Sequence, residues 1–358
     1  MAAAGYNQGT NRIYVSTNSG ATWFASGAPA MLTIGASVQY WISIASSADG
    51  TKLVAAVADG GIYTSTNSGA TWSSNNVPNP NNWNAVASSA DGSRLAAVAG
   101  PNSPPGSIYI STNFGNTWTV TGAPTASWYS VASSADGSKL LAGTFGGPAY
   151  LSTNSGNTWI QQTNLPAARW EIMATSADGN LLLAVASQVG SGLGGRIYIS
   201  TNAGTFWVQA NAPTNQAWMA FCLSADGMNM AAVSDRVFIC STNCGNTWTS
   251  NNTPRLGVKW GGMASSADGN KLVLVANGPG GIYTSQSTPA PQIYLTATGG
   301  SFKFSWTVPS TNFVVQQSSD LVIWADVTNA PVLNLINLQN EVVLSPAGSS
   351  GFYRLKTP

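Results

Sequence analysis

Apolar residues along this chain come in short clusters, separated by stretches rich in Gly, Ser, Thr and Asn. The run Lys52-Leu-Val-Ala-Ala-Val57 is typical, with Ser-Ala-Asp-Gly before it and Asp-Gly-Gly after it. Short apolar runs bounded by turn residues predict β-strands, because an amphipathic helix needs a longer run with a helical period. The clusters recur in a fixed order. A tryptophan (Trp41, Trp83, Trp128, Trp170, Trp218 or Trp260) opens a short apolar stretch that ends in Ser-Ala-Asp-Gly, placing the aspartates at Asp49, Asp91, Asp136, Asp178, Asp226 and Asp268. A second apolar stretch, a Gly-rich loop and Ile-Tyr-x-Ser or a variant follow. Each unit closes on Ser-Thr-Asn-x-Gly-x-Thr-Trp or a near copy, ending at Trp23, Trp72, Trp118, Trp159, Trp207 and Trp248.

One unit therefore reads as four strands. Asp-Gly supplies a hairpin turn between the first and second strands, and Asn-x-Gly supplies one between the third and fourth. Units of about 40 to 50 residues with four strands each fit the blades of a β-propeller, whose twisted sheets bury their faces only against neighbouring blades. The repeated Trp residues are expected in those gaps. Residues 41 to 72, 83 to 118, 128 to 159, 170 to 207 and 218 to 248 form complete units. Residues 260 to 287 supply three strands and lose the final Asn/Gly turn, while Met1-Ala-Ala-Ala-Gly-Tyr-Asn aligns with the second strand of a unit. The expectation is an all-β propeller, seven-bladed with six as the alternative, whose N-terminal blade is incomplete through truncation or a misassigned start.

Ser16-Thr-Asn-Ser-Gly-Ala-Thr-Trp23 resembles the Asp-box, Ser-x-Asp-x-Gly-x-Thr-Trp, with Asn in place of Asp. Through its six copies, residues 1 to 287 resemble the Asp-box (BNR-like) propellers, which include sialidases, xyloglucanases, sortilin-type receptors and photosystem-assembly propellers. The resemblance implies a structural hairpin at the propeller periphery and therefore a scaffold, not a chemistry. After a Pro-containing linker at 288 to 292 the repeat vanishes. Residues 293 to 358 alternate apolar and polar positions, as in a small β-sandwich, and resemble the Ig-like or fibronectin-like modules that close many secreted bacterial proteins. That resemblance implies an extracellular or envelope location.

Charge narrows the partners. Only 7% of residues are charged and the net charge is +1, so no broad field exists to attract nucleic acid. No apolar run is long enough for a membrane span, and the first residues lack the basic and apolar regions of a signal peptide, which means little if the start is truncated. Cys222, Cys240 and Cys244 cannot make a disulfide framework; pairing of Cys240 with Cys244 and three free thiols are both open. With no His and no cluster of acids, neither a metal nor a cofactor is expected.

The 12 acids restrict catalysis further. Six lie in Ser-Ala-Asp-Gly, where an Asp before Gly caps its own turn. Asp320, Asp326 and Glu341 belong to the C-terminal module, which leaves Asp59, Glu171 and Asp235 for a carboxylate pair of the glycosidase kind. A Ser-His-Asp triad is excluded because the chain has no His. Function is expected where the units differ, in the loop entering each first strand and the loop between second and third strands, which share one face of a propeller. The candidates on that face are Tyr40, Asp59, Tyr129, Phe145, Arg169, Glu171, Arg196, Asp235, Arg236, Arg255 and Lys259; for each charged one, a solvated side chain is the competing explanation. The sequence points to a non-catalytic extracellular propeller that recognises glycan or protein through this face. A sialidase-like or other glycoside hydrolase and a structural subunit of an extracellular assembly are the alternatives.

Overall fold

The structure, a computed structural model, describes residues 1–7, 10–18, 20–34, 37–38, 40–75, 77, 82–100, 105–189, 192–214, 216–252, 259–276, 281–286, 293–298, 301–307, 314–319, 323–329, 331–334, 339–344 and 352–356. Every regular element among these is a β-strand. The chain divides into two compact units, one of Met1–Ser265 and Leu272–Ser285, the other of Ser266–Lys271 and Gln286–Pro358.

In the first unit the described strands fall into seven antiparallel sets, called blades 1 to 7 in chain order. Blade 2 is representative: Trp41–Ser46, Leu53–Val57, Ile62–Ser65 and Ser73–Asn75 pair in sequence. Residues 83–120 and 220–252 form four-stranded blades 3 and 6 in the same way. Blades 4 and 5 join into one eight-stranded sheet, because Leu140–Gly147 runs past its own blade and pairs with Ala168–Thr175. Blade 1 contains Ala2–Asn7, Thr10–Val15 and Phe24–Ala25, extended by Met31–Ile34 and Ser37–Val38. Blade 7 has three described strands, Trp260–Ser265, Lys271–Ala276 and Ile282–Gln286. First strands of successive blades lie side by side from blade 2 to blade 7.

The second strands explain why the apolar runs are continuous instead of alternating. Leu53, Ala55 and Val57 turn toward Ile13 and Val15 of blade 1, whereas Val54 and Ala56 turn toward Trp83 and Val86 of blade 3. Both faces are dry, so every position is apolar. Each of six inter-blade cores contains the Trp that opens the following blade: Trp41, Trp83, Trp128, Trp170, Trp218 and Trp260. Five of these rings meet the Tyr of their own third strand edge-on, at centroid distances of 5.2 to 5.8 Å. Such pairs add to the burial of about 150–250 Å² per aromatic side chain.

Ser-Ala-Asp-Gly does two jobs. Within each turn the serine hydroxyl donates to the aspartate, as Ser89 does to Asp91 Oδ1 at 2.6 Å, and the carboxylate accepts the backbone N–H two residues on. Between turns the alanines are linked: Ala48 N–H donates to Ala90 O, Ala90 to Ala135, Ala135 to Ala177 and Ala177 to Ala225, at 2.7 to 2.8 Å. This ladder fastens blades 2 to 6. Lys52 Nζ and Lys139 Nζ add a second tie, reaching Asp91 O at 2.7 Å and Asp178 O at 3.0 Å in the next blade.

The six Asn/Gly turns share one hydrogen-bond set. In blade 3, Ser111 Oγ donates to Asn113 Oδ1 and accepts from Gly115 N, while Asn113 Oδ1 accepts from Thr117 N. In the five of these turns where it is described, the residue before the glycine is held at positive φ, as at Phe114 with φ 60°, followed by Gly115 at 84°. Each such glycine lies against the third strand of the preceding blade: a Cβ on Gly156 would sit 3.1 Å from Ile110, and one on Gly204 would sit 2.6 Å from Leu151. For blade 1 the neighbour is Thr284 of blade 7, 2.8 Å from the Cβ that Gly20 lacks. First and last blades are therefore adjacent.

The second unit contains the sheet Ile293–Thr298, Ser301–Thr307, Gln339–Leu344, Val332–Asn334 and the sheet Ala325–Asp326, Val314–Ser318, Phe352–Lys356. Phe304, Trp306, Val315, Val342 and Leu344 are its core. None of the three cysteines forms a disulfide, and Cys244 Sγ lies 3.2 Å from Met228 Sδ. Burial pushes the Cys222 thiol up to about 12, as befits a strand-filling cysteine.

Candidate functional site

The first strand of five blades is irregular just after its tryptophan. Register shifts fall between Trp41 and Ser43, Trp83 and Ala85, Trp128 and Ser130, Trp170 and Ile172, and Trp260 and Gly262. A bulge re-aims one side chain without disturbing the rest of the strand. The re-aimed residues are Ile42, Asn84, Tyr129, Glu171 and Gly261, different in every blade although the tryptophans are identical.

At the joint between blades 4 and 5 two of these residues come together with two other candidates. Phe145 pairs with Arg169 across the strand extension that fuses the blades. The Arg169 guanidinium lies 4.5 Å from the Phe145 ring centroid and 5.5 Å from that of Tyr129, and the two rings are 5.8 Å apart. Arg169 Nε is 2.6 Å from Glu171 Oε1, in an ion pair whose N–H does not point at the oxygen. Arg169 also donates to the Tyr129 hydroxyl at 3.5 Å, and Ser187 Oγ donates to Glu171 Oε1 at 2.8 Å. Phe145 keeps 44% of its surface in water and the Arg169 side chain keeps 39%, against 18% for Glu171. The result is a partly exposed cation–aromatic platform backed by a more deeply set carboxylate.

Electrostatics hold this arrangement at neutral pH. Burial raises the Tyr129 phenol, and the nearby Glu171 charge adds to the rise, so the hydroxyl stays protonated. Burial pulls the Arg169 guanidinium down, but the Tyr129 hydrogen bond and Glu171 outweigh it and the net shift is upward.

The other candidates among the described residues lie apart from this cluster. Tyr40 is exposed beside Trp41, and its carbonyl accepts from Ala58. Asp59 is exposed in a turn at φ 54°. Arg196 donates to Gln209 Oε1 at 3.3 Å, and Arg236 lies 3.7 Å from its neighbour Asp235. Lys259 is exposed beside Trp260. Arg255 falls outside the described residues. Ser187 was not expected; no feature of the sequence marks it, since its role follows from the lengthened strand Leu182–Val189.

Two further shallow hollows, each with room for little more than one water, lie between blades, lined by Arg94, Leu95 and Leu140 in one and by Lys52, Leu53 and Phe114 in the other. They occupy equivalent places in the repeat and belong to the scaffold. Among the described residues no group of His, Cys, Asp or Glu is placed to hold a metal ion, and no helix is long and apolar enough to cross a membrane.

Comparison with known proteins supports the scaffold. No protein-family model matches the chain, and no curated protein matches it. Among solved structures, one described as YCF48 bound to D1 peptide is similar over 83% of this chain and 94% of its own, with 13% identity and a TM-score of 0.57. The GH74 enzyme of Niastella koreensis is similar over 99% of this chain and 70% of its own, with 15% identity and a TM-score of 0.57. The Cps50 (Swd1) β-propeller domain of Myceliophteria thermophila is similar over 80% and 93%, with 16% identity and a TM-score of 0.57. At these identities the likeness defines the fold class, a β-propeller scaffold, and nothing finer.

Proposed function

We propose that this protein is a non-catalytic binding propeller of seven blades that recognises a glycan, or a protein bearing one, through the loop face at the joint of blades 4 and 5. The observation that carries this reading is the Arg169–Phe145–Tyr129 platform. A half-exposed aromatic ring offers a flat apolar surface for the axial C–H face of a sugar, and the remaining guanidinium N–H groups can donate to ring hydroxyls. Glu171 supports binding better than acid–base work, because it is engaged by Arg169 and by Ser187. The proposed setting is extracellular or in the cell envelope, with the second unit as spacer or anchor.

The test is a glycan array probed with the purified chain, then with Arg169→Ala and Tyr129→Ala. Selective binding that both substitutions abolish supports the reading. An array, together with envelope proteins, on which the wild-type chain finds no ligand sinks it.

A further inference from the structure

Two turns meet in every blade from 2 to 6. The residue before the glycine of the Asn/Gly turn donates its backbone N–H to the carbonyl of the residue after Ser-Ala-Asp-Gly: Ser68 to Thr51, Phe114 to Ser93, Ser155 to Ser138, Ala203 to Asn180 and Cys244 to Met228, at 2.7 to 3.1 Å. The backbone is the same each time, so the repeat is its own control for the side chains. In blades 2 to 5 the paired side chains are hydroxyls, an amide and hydrocarbons. Among these five blades, blade 6 alone places sulfur at both positions, and there the Cys244 thiol donates to the Met228 thioether at 3.2 Å. Both sulfurs are held from behind. Met228 N–H donates to Asp226 Oδ1 at 2.9 Å, and that carboxylate also accepts from Ser224 Oγ. On the other turn Ser241 Oγ and Thr247 N donate to Asn243 Oδ1, and Cys244 follows at φ 56°. Both sulfurs are also reachable: Met228 keeps 42% of its surface in water, Cys244 is half-buried and Asp226 is exposed.

A thiol and a thioether in contact, beside a carboxylate whose charge reaches the thiol, make a pair of soft donors with a compensating negative charge. We propose that Met228 and Cys244 form a surface site for a soft monovalent cation of the cuprous class. Binding replaces the thiol proton with a metal–thiolate bond and releases that proton to solvent; the thioether adds a second bond through its lone pair, and no electron is transferred. Metal–sulfur bonds of about 2.3 Å bring one ion within reach of both atoms, and the unbranched Met228 chain is able to swing outward and widen the angle between them. Hard cations are a poor match. Calcium and magnesium collect several oxygen ligands, and a zinc site is closed by His or further thiolates, whereas no third His, Cys, Asp or Glu joins Cys244 and Asp226 among the described residues. The site uses none of the residues of the Arg169 platform.

The experiment titrates the purified full chain, without oxygen and with ascorbate as reductant, into the Cu(I) complex of a chromophoric chelator and reads the metal withdrawn from the loss of colour. One equivalent is expected to leave the chelator. Cys244→Ser should abolish the transfer, and Met228→Thr should weaken it at least tenfold. Ser68 and Ser155 stand at the first of these places and Thr51 at the second, so both variants carry residues that the same backbone already accommodates. Cys240→Ser, checked by circular dichroism for an unchanged fold, should titrate as the wild type does. No withdrawal of Cu(I) by the wild-type chain overturns the proposal. So does a Met228→Thr titration equal to that of the wild type, which leaves a solitary thiol as the ligand, and so does loss of transfer in folded Cys240→Ser.

Discussion

Trp128 and Trp170 occupy the same place in successive blades, both fully buried at 0% and both edge-on to a tyrosine, at 5.3 and 5.8 Å. They differ in the bond of the indole N–H, and Trp128 also packs against Trp159, with ring centroids 6.4 Å apart. Trp170 Nε1 donates to Gly147 O at 3.0 Å, whereas Trp128 Nε1 is buried with no acceptor. Replacing each by Phe removes the same part of the indole, which costs about 1–3 kcal/mol of packing at either site and largely cancels in the comparison. Trp170→Phe also breaks a hydrogen bond and strands its acceptor, a further loss of about 1–2 kcal/mol, while Trp128→Phe removes a donor that was already unsatisfied. Urea unfolding followed by far-ultraviolet circular dichroism measures the difference. With a slope of about 3 kcal/mol/M, the Trp170→Phe midpoint should fall below that of Trp128→Phe by roughly 0.3–0.7 M. Equal midpoints, or a lower one for Trp128→Phe, would refute the hydrogen-bond assignment.

Acid should loosen the turns that link the blades. Hydrogen bonds from Ser47 and from Ser89 hold the Asp49 and Asp91 carboxyls down to about 2, and at Asp136 those from Ser134 and Ser138 outweigh the opposing effect of burial and give the same value. Folded values below the ordinary 3.8 mean that this stabilisation is complete above about pH 5 and is lost as pH falls through 4 toward 2. Melting temperature recorded between pH 6 and pH 2 should drop along that limb, less steeply in Asp91→Asn; a flat wild-type profile contradicts the assignment. In the Asn/Gly turns, Asn113→Ala removes the acceptor of Ser111 and Thr117 and should cost about 1–2 kcal/mol in a thermal melt. Asn113→Asp keeps both bonds and lets the Thr117 hydroxyl reverse to donate, so its melt should stay close to that of the wild type.

The repeat was legible because the physics that writes it is local and iterated. Asp-Gly and Asn-x-Gly place positive φ at fixed intervals, and second strands buried on both faces must be wholly apolar, so strand number and order follow from the chain alone. The site was only half legible. Tyr129, Phe145, Arg169 and Glu171 were findable as departures from the repeat, but nothing in the sequence joins them. Their meeting depends on the bulges after Trp128 and Trp170, which re-aim Tyr129 and Glu171, and on the eight-residue strand Leu140–Gly147 reaching across to the next blade. Strand length and bulge position are set by tertiary packing, which also explains why Tyr40, Arg196 and Lys259, equally suggestive as residues, stay outside the cluster. The alanine ladder was hidden for another reason: a backbone bond leaves no mark on side-chain choice beyond the small residue that permits the approach.

The central claim is that recognition resides where blades 4 and 5 fuse and the remainder of the loop face is scaffold. Isothermal titration calorimetry with the strongest glycan from the array tests it most directly, comparing wild type with Phe145→Ala, Arg169→Ala and Arg196→Ala. Affinity should fall at least tenfold, about 1.4 kcal/mol, for the first two and stay unchanged for Arg196→Ala. Loss in Arg196→Ala with Phe145→Ala and Arg169→Ala unaffected would place recognition elsewhere and contradict the account.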